Sequence, residues 1–155
     1  MAPQTDRDRL HDLVEKQRFV MLTTADEEGT LVSRPMTVQE VDGWVLRFIT
    51  QGDTRVTREA EGRHVNLASN NGGTYLSLSG TGSVTRDLAL KKELWNRLNE
   101  AYAGDAEDPN NVVLEVQVDS GEYWESGNPV VEVIGLAKTL ITGTPQNSEH
   151  GSASV

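Results

Sequence analysis

The chain has 155 residues, enough for one domain with a real core, and its hydrophobic fraction of 36% and charged fraction of 25% are those of an ordinary globular chain. It has no cysteine, which excludes disulfides and thiol chemistry and fits a cytoplasmic setting. A net charge of -10 argues against nonspecific nucleic-acid binding, and no apolar run approaches the ~18 residues of a membrane span. The polar start Met-Ala-Pro-Gln-Thr-Asp-Arg lacks the apolar stretch of a signal peptide.

Thr5-Asp-Arg-Asp8 has the pattern of a helix-start capping box. Leu10, Leu13 and Val14 follow at helical spacing, so a short amphipathic helix is expected to about residue 16. Phe19-Val-Met-Leu-Thr-Thr24 is β-rich and mostly apolar and reads as an interior strand. Asp26-Glu-Glu-Gly29 is turn chemistry, and the strand Leu31-Val-Ser-Arg-Pro-Met-Thr37 follows it. Strand alternation puts Arg34 on one face with Val32 and Met36, and Leu31, Ser33, Pro35 and Thr37 on the other. A guanidinium on an apolar face needs an anionic partner. Pro35 cannot donate to a ladder, so this strand is expected at a sheet edge. An edge strand carrying such an Arg is a plausible floor for a phosphorylated ligand.

Asp42-Gly43 signals a hairpin into Trp44-Val-Leu-Arg-Phe-Ile-Thr50, and three antiparallel strands in sequence read as a meander. Gln51-Gly-Asp-Thr-Arg55 turns into a short helix, expected over residues 53–61 with Asp53 or Thr54 as N-cap. Free N–H groups there either attract an anion, assisted by Thr54 and Arg55, or are simply capped. His64-Val-Asn-Leu-Ala-Ser69 is a strand, Asn70-Asn-Gly-Gly73 a turn and 74–85 a long strand. In that strand Tyr75, Ser77 and Ser79 face away from Leu76 and Leu78. Gly80 and Gly82 allow it to bend, the favoured role, or admit a ligand. Asp87 caps a helix expected over 88–102, with Leu90, Leu94 and Leu98 in line and Trp95 beside them, a position more often core than site. Residues 111–118 are a strand, and in Glu122-Tyr-Trp-Glu125 the two aromatics face opposite ways. Residues 130–141 read as strand, helix or both. The polar tail 143–155 is expected to be disordered, leaving 1–142 as the single domain. Six or seven closely spaced strands, a mid-strand Gly pair and helices at the ends suggest a small closed barrel.

The negative charge is uneven. Residues 34–63 hold five Arg and five acids, and the remaining 9 basic and 19 acidic residues carry the whole imbalance. Arg without Lys favours bidentate recognition of phosphate or carboxylate. For Arg58 and Arg63 the ordinary reading is a surface charge with local Glu partners. None of His11, His64 and His150 has a metal-ligand spacing with another His, Cys or acid cluster, so no metal site is expected. There is no nucleophile elbow, no phosphate-binding G-x-x-x-x-G-K-[ST] loop and no dinucleotide glycine pattern. An anion-binding barrel without a protein nucleophile or acid–base pair would take its chemistry from a bound cofactor.

The order Phe19-Val-Met-Leu-Thr-Thr, Leu31-Val-Ser-Arg-Pro-Met36, Trp44-Val-Leu-Arg-Phe-Ile-Thr50, Val65-Asn-Leu-Ala, Tyr75-Leu-Ser-Leu-Ser-Gly-Thr-Gly82, Glu93-Leu-Trp-Asn96 and Glu122-Tyr-Trp124 resembles the pyridoxamine 5'-phosphate oxidase-like, FMN-binding split-barrel superfamily, and within it the general stress proteins. The resemblance implies a mainly β (α+β) fold, a six-stranded antiparallel split β-barrel with flanking helices. It also implies a homodimer with FMN, or FAD as the alternative, in each of two clefts between subunits. Carried over by motif, Ser33, Arg34, Pro35 and Met36 run beside the flavin ring and phosphate. Thr50 and the turn Asp53-Thr54-Arg55 hold the phosphate, and Trp95 and Trp124 reach the cleft from the partner subunit. The family commonly has a Lys on the phosphate where this chain has Val56, with Arg55 or Arg58 as substitutes. Losing that charge-assisted contact costs ~1.5–3 kcal/mol, or ten- to a hundredfold in affinity. The implied function is a flavin-dependent oxidoreductase of the stress type rather than a vitamin B6 oxidase. A noncatalytic flavin sensor is the alternative. So is the same barrel with haem or a deazaflavin; haem would want an axial ligand, for which His64 is the candidate.

Overall fold

The computed structural model describes residues 5–125 and 149–155. Helix α1 is Asp6–Glu15. Its capping box forms as the sequence predicts: the Thr5 hydroxyl accepts from the Asp8 N–H at 3.1 Å, and the Asp8 carboxylate accepts from the Thr5 N–H at 3.4 Å. The strands are β1 Phe19–Ala25, β2 Leu31–Thr37, β3 Glu40–Asp42, β4 Val45–Gln51, β5 His64–Asn71, β6 Thr74–Thr85, β7 Asn111–Glu125 and β8 Glu149–Ser154. Between them lie α2 Arg55–Ala60, α3 Leu88–Leu94 and α4 Arg97–Ala103.

All eight strands form one antiparallel sheet in the order β2-β1-β5-β6-β7-β4-β3, with β8 beside β7. The expected meander is therefore corrected. β1 pairs with β2 and β5, whereas β4 pairs with β3 and β7. β2 and β4 stand near opposite ends of the order, and the sheet curls until they meet. The seam is closed by the link between β2 and β3: Val38 N–H donates to the Arg18 carbonyl at 2.8 Å, and Gln39 N–H to the Arg47 carbonyl at 2.8 Å. Pro35 lies in the edge strand β2, where its missing N–H costs no ladder bond. The curl needs a bend, supplied by the register shift between Ser79 and Gly80.

Alternate side chains fill the barrel. Leu22, Leu46, Phe48, Leu67, Leu78, Leu114 and Val116 are fully buried, each worth ~1.5–3 kcal/mol over exposure. β1 is interior in strand order, yet only one of its faces is covered, since Phe19 and Met21 are exposed on the other.

Three further expectations change. The barrel has more strands than the six expected. The helix expected over 88–102 breaks at Trp95, whose backbone is extended, because the Asn96 side chain accepts from the Asn99 N–H at 3.1 Å and starts α4. The tail expected to be disordered contains β8, which pairs with the outer half of β7 from Ser120 to Glu125. β4 covers β7 only to Gln117, so β8 takes over the edge that β4 leaves open. Gly151 is required there, because a Cβ would lie 2.3 Å from the Tyr123 ring. Residues 126–148, which include the segment 130–141 and the first part of the tail, lie outside the described residues.

Candidate functional site

Arg34 follows from strand alternation. β2 is an edge strand, and its inward face carries Val32, Arg34 and Met36. The guanidinium therefore points into the end of the barrel and needs a partner there. It donates to the Thr24 hydroxyl at 2.6 Å and lies 3.7 Å from the Glu59 carboxylate. Thr24 in turn donates to Glu59 at 2.7 Å, and Arg55 donates to the other Glu59 oxygen at 2.5 Å. Arg55 also pairs with Asp26 at 3.1 Å.

Glu59 reaches this place because α2 buries one face, Val56, Thr57, Glu59 and Ala60. Its hydrogen bonds from Arg55 and Thr24 hold its carboxyl below the ordinary value of 4.5. Burial pushes Arg34 down from its ordinary value, Glu59 opposes that and Arg55 adds to it. A depressed carboxyl stabilises the fold above its ordinary value, and that contribution is lost as pH falls through the lowered one. Urea unfolding of wild type and Glu59→Gln from about pH 7 to about pH 3 is expected to show the wild-type advantage shrinking with acid. An advantage independent of pH would remove Glu59 from the ionised network.

Beside this network the ends of β2 and β4 enclose a cleft of 410 Å³. β2 contributes Pro35, Met36 and Thr37, and β4 contributes Ile49, Thr50 and Gln51. Thr54, the N-cap of α2, and Ala103 complete it. No charged side chain is among them. The Thr50 hydroxyl has no hydrogen-bond partner among the described residues, whereas Thr54 and Thr57 both donate to the Gln51 carbonyl, at 2.8 and 2.7 Å. Thr54 thus starts the helix without capping it through its side chain.

Of the residues expected at a site, Pro35, Met36, Thr50 and Thr54 meet in this cleft. Arg34 and Arg55 meet each other through Glu59 instead. Ser33 faces outward and bonds the Thr23 hydroxyl at 2.5 Å. Asp53 accepts from the Asn110 amide at 3.2 Å. Within one chain the two tryptophans lie elsewhere. Trp95 donates to the Gly104 carbonyl at 3.2 Å, and Trp124 stacks on His150 with ring centroids 5.0 Å apart. Val56 is in the core, not at the cleft. Arg58 donates to the Asp53 carbonyl at 2.9 Å and not to a Glu. His64 is exposed at the start of β5.

Glu59 is the residue sequence reasoning missed. The available signal was its spacing of four from Arg55 on a helix face that also carries Val56 and Ala60. Metal-ligand spacing also occurs, contrary to expectation. His11, Asp12 and Glu15 bring ligand atoms within 4.8 Å of one another on α1, where His11 Nε2 already meets the Gly43 carbonyl at 2.9 Å. These groups are mostly exposed and lie outside the cleft.

A single antiparallel sheet curled until its ends meet, with a cleft at the seam, is a split β-barrel. The chain belongs to the pyridoxamine 5'-phosphate oxidase like family, whose profile matches residues 5–147. Protein bli-3 of Neurospora crassa is 30% identical over 152 residues, covering 88% of this chain and 73% of that protein. A crystal structure assigned to general stress protein 26 of Jannaschia sp. CCS1 superposes with a TM-score of 0.67 at 26% identity, over 96% of this chain and 95% of that one. The general stress FMN/FAD binding protein of Xanthomonas citri superposes with a TM-score of 0.65 at 29% identity, over 79% of this chain and 89% of that one. Among the described residues no helix is long and apolar enough to cross a membrane.

Proposed function

We propose that this protein binds a flavin, FMN first and FAD as the alternative, in the cleft between β2 and β4, and acts in the cytoplasm as a stress-type oxidoreductase. The observation that carries the reading is the meeting of Pro35, Met36, Thr50 and Thr54 in one 410 Å³ cavity, in a family with a relative described as an FMN/FAD binding protein. That volume lies within the ~300–1,000 Å³ of small-molecule sites. Met36 and Ile49 supply apolar walls for a ring, and the Thr50 hydroxyl is available to a polar edge. A bound flavin would supply the electron transfer. The protein's part is to bind the ring, orient it and exclude water.

The same reading includes a homodimer. Phe19, Met21, Leu31 and Tyr75 are 63%, 41%, 71% and 45% exposed. Their registers place them on one sheet face, with Met21 opposite Pro35 and Ala68. Trp124 lies on that face too, opposite Tyr75. An apolar sheet face of this kind is what a partner subunit covers, and a partner docked there would bring a second Trp124 toward the seam.

The test is a visible spectrum of the purified protein, followed by FMN titration and sedimentation. Flavin bands near ~370 and ~450 nm are expected, with a dimeric sedimentation coefficient. No bands and no binding at about 10 µM FMN or riboflavin, where a micromolar site would fill, would end the flavin reading. A Soret band would replace it with haem.

A further inference from the structure

Resting on the flavin reading, we infer that Glu59 is a built-in occupant of the arginine pair, standing where a ligand phosphate would otherwise bind, so that the cleft distinguishes FMN only weakly from unphosphorylated riboflavin. The polar groups best placed to grip a phosphate are already engaged. Glu59 uses both carboxylate oxygens, one on Arg55 and the other on Thr24, and the second also faces Arg34. Arg55 has a second carboxylate in Asp26. Two cations and two anions leave this network neutral before any ligand arrives. The Thr54 and Thr57 hydroxyls are spent on the Gln51 carbonyl.

A phosphate monoester carries about -1.5 to -2 charges at neutral pH. To reach Arg34 it must displace Glu59, which is 7% exposed, and at the more exposed Arg55 it meets Glu59 and Asp26 as like charges. The neighbouring hollow offers no better site. There Arg55, Arg58 and Arg63 face Asp26, Glu27, Glu28 and Glu59, three cations against four acids. The cleft itself has no charged lining residue. A ring with a neutral, hydroxyl-bearing side chain meets none of these costs. It needs only the apolar walls of Met36 and Ile49 and hydroxyl partners such as Thr50.

The experiment is a fluorescence titration of the full-length protein with riboflavin and with FMN, in wild type and in Glu59→Gln. Gln keeps the shape of Glu and one oxygen acceptor, for Arg55 or Thr24, while removing the charge. Wild type is expected to bind the two flavins with affinities within about tenfold of each other, and Glu59→Gln to bind FMN at least about tenfold tighter with riboflavin moved less than about threefold. Wild-type preference for FMN of tenfold or more would overturn the proposal, and so would a Glu59→Gln that gains nothing for FMN. The wild-type ratio decides by itself if the variant does not fold. Failure of both flavins to bind either protein would instead overturn the flavin reading and this inference with it.

Discussion

Gly82→Ala is expected to lower stability by about 3–4 kcal/mol, which corresponds to a fall in Tm of roughly 6–15 °C for a chain of this size. A Cβ at this position would lie 2.3 Å from the Ala60 carbonyl oxygen and 3.0 Å from its carbon. Both atoms are backbone, so no side chain can swing aside. Gly82 also anchors the C-terminal end of α2 to β6. Its N–H donates to the Arg63 carbonyl at 3.0 Å, and its carbonyl accepts from the Gly62 N–H at 2.8 Å. Relieving the overlap means lifting α2 and losing these two bonds, each worth about 1 kcal/mol, besides the overpacking strain. Thr54, the N-cap of α2, lines the cleft, so flavin affinity should fall together with stability. Thermal unfolding with a flavin titration reads both. A Tm within about 2 °C of wild type would mean that α2 can shift without cost.

The local parts of this fold were legible in the sequence because their signals are local. The capping box at Thr5 and Asp8, the Asp42-Gly43 hairpin and the bend at Gly80 each follow from a few adjacent residues. Strand order was not legible. Proximity in sequence suggests that β4 should follow β2 across the sheet, whereas the pairings of β1 with β5 and β4 with β7 depend on contacts distant in sequence. β8 was hidden by composition. Gly, Ser and Ala bury little by themselves, and the strand forms because β7 offers an open edge and Tyr123 leaves room only for Gly151. The helix break at Trp95 was signalled by Asn96, a favoured N-cap, but the leucine spacing across it reads as one continuous helix.

The site was half legible. Alternation fixed the inward direction of Arg34, and the cost of a lone buried charge required an anionic partner. The partner's identity was not fixed, because Glu59 lies on a separate helix and looks, beside Arg55, like half of a surface ion pair. The packing of α2 under β6 turns Glu59 inward and makes the partner internal, while Arg55 stays exposed. Trp95 and Trp124 are legible as aromatics at element ends, and a role at the cleft requires a second subunit.

Arg47→Met is expected to cost about 2–4 kcal/mol and to leave riboflavin affinity unchanged. Arg47 lies in β4 between Glu40 of β3 and Glu115 of β7, its direct cross-strand neighbours. It donates to Glu40 at 2.6 Å, to Glu115 at 2.7 Å and to Asp42 at 3.2 Å, with its side chain 16% exposed. The hydrogen bond to Glu115, then that to Glu40, holds the guanidinium above its already high ordinary value. One cation therefore bridges three carboxylates and joins β3, β4 and β7. Met keeps the length and the apolar stem, so the change removes charge and hydrogen bonds rather than volume. Three acids are then left facing one another without a counter-ion. Acid removes the charges that repel one another, so the deficit should shrink as pH falls. Glu115→Gln added to Arg47→Met should recover part of the loss for the same reason. Arg47→Lys keeps the charge but loses the fork that reaches two strands at once, and should fall between. Urea unfolding of the four proteins at neutral and acid pH separates these terms. A deficit below about 1 kcal/mol at neutral pH, insensitive to acid, would mean that solvent already screens the cluster as it does an ordinary surface pair.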